Sequence, residues 1–314
     1  MKKLILFLLI AIFAMSCESS KVRTSSPSAA VINPAQMNKF PWMYHGDEGT
    51  QFVSDIWNIR TTIKHKQIVD SLPNFYDGLI DHYTSVFGKL PYPKDRIDVF
   101  MFANESQWKL KLQELLGNEA NSWYALGRGG LTIDGIGVLY HLDKSTRSRV
   151  TFRIAAHEGW HQYAEHAFKS CLPTWLDEGI GTWMEGFRLR RGQLHFTPAS
   201  NWDRLSAIRK IVTANRLTPL NELINSDPSE LLETGRSTLL GYYSQLWAFT
   251  SFLMEYENGK FRPVIRDLLL DAVDGTLREP SDGWLFLFTD DKQQLEKEYN
   301  DWVVEYVRPG TSWR

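Results

Sequence analysis

Apolar side chains recur along this chain with two different periods. In the first part of the sequence they fall in short β-branched and aromatic runs, and from Thr146 onward they fall at helical spacing. Phe52 to Thr62, with Val, Ile, Trp and two Thr, reads as one strand. Ile68, Leu72, Phe75, Leu79 and Tyr83 place a helix over Gln67 to Phe87, with an irregular start at Pro73. Arg96 to Phe102 reads as a strand and Ser106 to Leu116 as the helix after it. The Gly-rich segment from Trp123 to Leu142 suits a hairpin or two edge strands. Beyond it the pattern predicts helices over Arg147 to Phe168, Thr174 to Phe187, Trp202 to Thr213, Leu239 to Tyr256, Arg262 to Ala272 and Gln293 to Val307. Strands first and helices after is an α+β arrangement: an N-terminal mixed sheet with helices, then a mainly helical lobe.

The start of the chain has a different character. Lys2 and Lys3 precede an unbroken apolar run from Leu4 to Met15. Twelve residues are too few to span a bilayer, which takes about 20, but they suit the core of a signal peptide. The run ends at Ala14-Met15-Ser16-Cys17, which resembles a bacterial lipoprotein lipobox. Residues 1–17 are therefore expected to be an export signal, with a lipid anchor on Cys17 tying the protein to a membrane of the bacterial cell envelope. Residues 18–40, rich in Ser, Ala and Pro, read as a flexible tether. Residues 41–314 form the expected folded domain. Only two cysteines are present, so acylation of Cys17 would leave Cys171 a lone, buried thiol.

Composition narrows the field further. With 23% charged and 43% hydrophobic residues the chain is globular rather than disordered. Its formal net charge is −2 and it carries no basic stripe, which excludes nucleic acid as an expected partner.

The chemistry concentrates in Ala156-His157-Glu158-Gly159-Trp160-His161-Gln162. Residues i and i+4 share a helix face, so His157 and His161 can point at one ion, and Zn2+ accepts imidazole nitrogen readily. Glu158 sits beside that face, where it can take a proton from a metal-activated water. Catalytic zinc commonly has three protein ligands and one open position. A third His at metzincin spacing would fall at position 167, which is Ala here, and His166 is rotated about 100° away on a helix. The other source is the helix starting at Pro173-Thr174. There Glu178, Thr182 and Glu185 fall on one face among Trp175, Leu176, Ile180, Trp183 and Met184.

Trp175-Leu176-Asp177-Glu178-Gly179 through Glu185 resembles the W-L-x-E-G-x-x-x-x-x-E segment of gluzincin peptidases, above all the thermolysin-like and M1 aminopeptidase groups. The resemblance implies a thermolysin-like zincin core, zinc held by His157, His161 and Glu178, Glu158 as general base, and a peptide or protein substrate. Glu185 would then support the ligands, and Thr182 could hydrogen-bond one of them. Family members also stabilise the oxyanion with a downstream ring, and Tyr242 or Tyr243 is placed for it. The spacing Y-x-Q-x-W-x-x-x-x-F-L, similar to bacterial lipoprotein-like members of the peptidase MA group, selects Tyr243. The likeness also implies that Ile136 to Tyr140 is an edge strand that pairs with extended substrate. No G-x-M-E-N segment is present, so the likeness does not extend to aminopeptidase specificity. The competing expectation is an envelope-tethered binding protein that keeps the metallopeptidase fold with little or no turnover.

Overall fold

The computed structural model describes residues 37–124, 129–142, 149–190, 193–228, 230–231 and 236–308. The expected signal peptide, Cys17 and most of the tether lie outside these residues. Strand β1 (Asn38–Tyr44) begins three residues ahead of the expected domain start at Pro41. It is followed by β2 (Asp47–Val53) and β3 (Trp57–Thr61), where the sequence pattern predicts one strand. The Ser54 side chain breaks the run, because its Oγ accepts from the backbone N–H groups of Ile56 and Trp57 and so closes a turn.

Helix α1 (Lys66–Tyr83) starts well before Pro73, which sits in its interior. One lost backbone hydrogen bond is outweighed there by a face of fully buried side chains, Leu72, Phe75, Tyr76 and Leu79. Strand β4 (Ile97–Phe102) and helix α2 (Glu105–Leu116) follow as expected, with Asn104 accepting from the Gln107 N–H as the N-cap of α2. After the short α3 (Ala120–Trp123), β5 (Gly130–Ile133) and β6 (Ile136–Tyr140) form the expected hairpin.

The six strands lie in the order β1-β2-β3-β4-β6-β5. Strands β3, β4 and β6 run parallel and the other neighbours antiparallel. The hairpin therefore inserts β6 inside the sheet and leaves β5 at the edge. This corrects the expectation for Ile136 to Tyr140: the edge strand is Gly130–Ile133.

Alternation along β4 feeds two cores. Ile97, Val99 and Met101 face α1 and the first long helix of the second half. Phe100 and Phe102 face α2, with Trp108 and Val138. The chain is thus α+β, with a mixed sheet followed by a helical lobe. Helices α4 (Arg149–Ala167) and α5 (Thr174–Met184) lead that lobe. A second, two-stranded sheet follows, β7 (Phe187–Arg190) and β8 (Gln193–Phe196), where helix was expected up to Phe187. Helices α6 (Trp202–Thr213), α7 (Leu220–Asn225), α8 (Arg236–Glu255), α9 (Arg262–Asp274) and α10 (Lys292–Tyr306) complete it. The central α8 buries Leu246, Trp247, Phe249, Phe252 and Leu253 against its neighbours. Cys171, in the link from α4 to α5, is exposed and disulfide-bonded, so it is not the lone buried thiol expected. Its partner lies outside the described residues.

Helix α4 is fixed to the sheet by a polar contact. Buried Gln162 donates to the backbone oxygens of Asp98 and Gly135. A Cβ on Gly137 of β6 would lie 2.4 Å from Gln162 Oε1. Gly137→Ala should therefore destabilise the protein by about 1–3 kcal/mol, because the displaced amide has no room to keep both bonds. Urea unfolding checks this, and an unchanged midpoint would show that α4 is not held there.

Candidate metal centre

The centre forms where α4 packs on α5. Helix α4 is buried along Phe152, Ala155, Ala156, Gly159, Trp160 and Tyr163, while His157 and His161 emerge one turn apart, half-buried, toward α5. Their ring centroids are 4.8 Å apart. Glu178 of α5 lies between them, with Oε2 3.2 Å from His157 Nε2 and 3.7 Å from His161 Nε2. Among the described residues, these three are the group whose donor atoms all fall within 4.8 Å of one another. Bonds of 2.0–2.2 Å in a tetrahedron put ligand atoms roughly 3.3–3.6 Å apart, so the spacing fits an ion of that size. The helices approach closely because α5 offers a glycine to the ring: a Cβ on Gly181 would meet His157 Cε1 at 3.1 Å.

The second ring nitrogens are both occupied. His157 Nδ1 lies 3.1 Å from Glu185 Oε1, and His161 Nδ1 lies 2.9 Å from Asp177 Oδ2. Each bond fixes a tautomer with a proton on Nδ1 and turns Nε2 toward Glu178. The supporting acids are themselves held. Asp177 accepts from Trp160 Nε1 at 2.8 Å. Glu185 accepts two bonds from Arg204 of α6, at 2.8 and 3.1 Å, and one from Asn201 at 2.7 Å. Glu178 Oε2, by contrast, is buried and meets no hydrogen-bond donor of good geometry. A buried carboxylate oxygen facing two imidazole nitrogens with no donor of its own fits a cation better than a hydrogen-bond network.

The electrostatics follow from this crowding. Burial pulls His157 down, but the neighbouring Glu178 and Glu185 carboxylates outweigh it and push the imidazole up to about 9. His161 is likewise raised well above the usual histidine range, against its burial, by Asp177 and Glu178. Burial opposes ionisation of Glu178, yet the two imidazoles hold it well below the usual carboxylate range. Glu185 is brought down to about 2 against its burial, chiefly by Arg204 and His157. Such a site strongly attracts positive charge, whether protons or a metal ion.

Glu158 follows His157 on α4. The Thr132 hydroxyl, on edge strand β5, lies 2.9 Å from Glu158 Oε2 and 3.0 Å from the Glu158 backbone oxygen, a shared donor that orients the carboxylate. The tyrosine pair separates. Tyr242 turns away, its hydroxyl donating to Ser226 O at 3.3 Å. The Tyr243 ring stands edge-on to His157 with centroids 6.4 Å apart, and the Arg204 guanidinium lies 5.5 Å from its centroid. Burial and then Glu178 push its hydroxyl well above the usual range, so it is a proton-bearing donor. Thr182 does not support a ligand side chain; its hydroxyl bonds the backbone oxygens of Glu178 and Gly179. His166 faces Gly135 O at 3.3 Å, away from the centre.

The structure brings together His157, His161, Glu178 and Glu185, with Glu158 next to His157 on α4. It adds Asp177, Thr132, Arg204 and Asn201. Asp177 had a signal, since it adjoins Glu178. The others come from separate elements and had none. Glu185→Ala should weaken divalent-cation binding by about 10–100-fold by freeing the His157 ring. Competition against a chromogenic chelator measures it, and unchanged affinity would mean that Glu185 does not orient His157. The chain matches no family model and no curated protein, and the chemistry of these side chains is what bears on function.

Proposed function

We propose that this chain is a zinc-dependent peptidase of the gluzincin kind with a thermolysin-like zincin core. The observation that carries the reading is the convergence of His157 Nε2, His161 Nε2 and Glu178 Oε2 beside a Thr132-oriented Glu158. Two nitrogens and one oxygen, with both imidazoles anchored by carboxylates, form a donor set suited to catalytic Zn2+. Zinc bound there supplies Lewis acidity to a peptide carbonyl and to the attacking water. The Glu158 carboxylate accepts the proton of that water and delivers it to the leaving amine. Thr132 holds the carboxylate in place for both transfers. The Tyr243 hydroxyl donates to the oxyanion as charge develops on it. The outer edge of β5, which carries Thr132 and pairs with no other strand among the described residues, is the place for an extended substrate backbone to pair.

Glu158→Gln should retain stoichiometric zinc and lower kcat/KM on a peptide library by about 10²–10⁴. In the same assay Tyr243→Phe should cost about 10²–10³ in kcat. Wild-type protein that binds zinc but cleaves no peptide would instead favour the tethered binding protein. Wild-type protein without affinity for zinc would end both readings.

Export and lipid anchoring through Cys17 are part of the same proposal. Cys171 is the chain's other cysteine, and a disulfide between it and Cys17 would leave no sulfur for the lipid. Mass spectrometry of the mature N-terminus from native membranes should find a diacylglycerol thioether on Cys17. A disulfide-linked peptide containing Cys17 and Cys171 would exclude the anchor.

A further inference from the structure

A second site lies away from the metal centre, where the β7–β8 hairpin packs on the last turn of α1. A hollow of about 540 Å³ opens there, bordered by Arg188, Arg190, His195, Thr197, His82 and Phe196. Arg188 and Arg190 are two apart on β7 and so share a face, and His195 is the cross-strand partner of Arg188 on that same face. Three cation-capable side chains are thereby gathered on one side of a four-residue-long ribbon. No carboxylate borders the hollow among the described residues, and neither arginine has an ion-pair partner there.

The far wall is aromatic and also under-satisfied. His82 stacks flat on Phe196, with ring centroids 3.5 Å apart and planes within 4°. It lies near-parallel to Trp183 at 6.1 Å. Burial pulls the His82 imidazole down to about 3, so it is a neutral ring and the fixed charge comes from the arginines. His82 Nε2 and Trp183 Nε1 are both buried without a hydrogen-bond partner. The two guanidinium forks are exposed and have no ion-pair partner among the described residues, and the unpartnered His82 Nε2 borders the same hollow.

We propose that this hollow binds a phosphate group, with Arg188 and Arg190 as its principal donors. A carboxylate carries one negative charge and two acceptor oxygens. A phosphate carries up to two charges and three free oxygens, which matches two guanidinium forks and the adjacent His195. The group has two possible bearers, a soluble phosphomonoester or an anionic lipid headgroup. The site is independent of the metal centre.

The test uses the full chain stripped of metal with a chelator, so that the histidine centre does not retain phosphate through an ion. Equilibrium dialysis against radiolabelled inorganic phosphate at low ionic strength should give saturable binding of one equivalent. Arg188→Ala with Arg190→Ala should weaken it by about tenfold or more, while Arg188→Lys with Arg190→Lys, which keeps the charge and loses the fork, should fall between. An unchanged circular dichroism spectrum and melting temperature confirm that the variants are folded. A second arm compares sedimentation with vesicles of phosphatidylcholine alone and with vesicles that also contain phosphatidic acid, whose headgroup is a phosphomonoester. A preference for phosphatidic acid that the double Ala variant abolishes assigns the phosphate to a headgroup. Phosphate binding without that preference assigns it to a soluble ester. Absence of saturable binding, or equal binding by the double Ala variant, overturns the proposal.

Discussion

The centre is organised by one electrostatic constraint, a surplus of buried negative charge between α4 and α5. Asp177, Glu178 and Glu185 bring three carboxylates into contact with two imidazoles, and Arg204 returns one positive charge. With neutral imidazoles the cluster carries −3 + 1 = −2. Two protons, one on each histidine, neutralise it, which is why both imidazoles are pushed upward. One divalent cation neutralises it equally. The two states use the same atoms, since each proton would sit on the Nε2 that faces Glu178. Metal binding at such a site displaces protons instead of organising a loose set of ligands.

That constraint explains features remote from the ligands. An uncompensated buried carboxylate costs several kcal/mol, so each acid that is not a ligand needs its own partners. Asp177 has Trp160 as well as His161. Glu185 has Arg204 and Asn201 as well as His157. Arg204 in turn lies over Tyr243, which links α6 and α8 to the chemistry on α4. The helical lobe therefore supplies counter-charge and orientation to the two ligand helices as well as packing around them.

Legibility in the sequence followed the range of each interaction. The histidine pair is a local, one-turn relation, and periodicity places it without knowledge of the fold. Glu178 required a second helix, and the apolar side chains around it marked which face is buried. The helices of the second half were legible because their apolar stripes are long. What failed depended on tertiary context. Pro73 reads as a helix start, yet burial of Leu72, Phe75 and Tyr76 carries the helix through it. Residues 136–140 read as an edge strand. Whether a hairpin's first or second strand joins the parallel β4 is a matter of crossover topology, and nothing local records it. Arg204 and Thr132 carry no local mark, because their partners lie on other elements.

The placement of β5 gives the centre its polarity. Because β6 takes the inner position, the hairpin's first strand lies at the end of the sheet, and Thr132 on it reaches Glu158. Glu158 is thus oriented from the sheet side, whereas His157 is oriented by Glu185 from the helical side. Tyr243 also approaches from the helical side. A substrate paired along β5 would pass between these two sets, with the proton acceptor on one flank and the oxyanion donor on the other. That separation is what the proposed chemistry demands, since the proton leaves the water while negative charge builds on the carbonyl oxygen. A fold with β6 at the edge would have no Thr132 hydroxyl at that flank, and the Glu158 carboxylate would lose the side-chain donor that fixes its direction among the described residues.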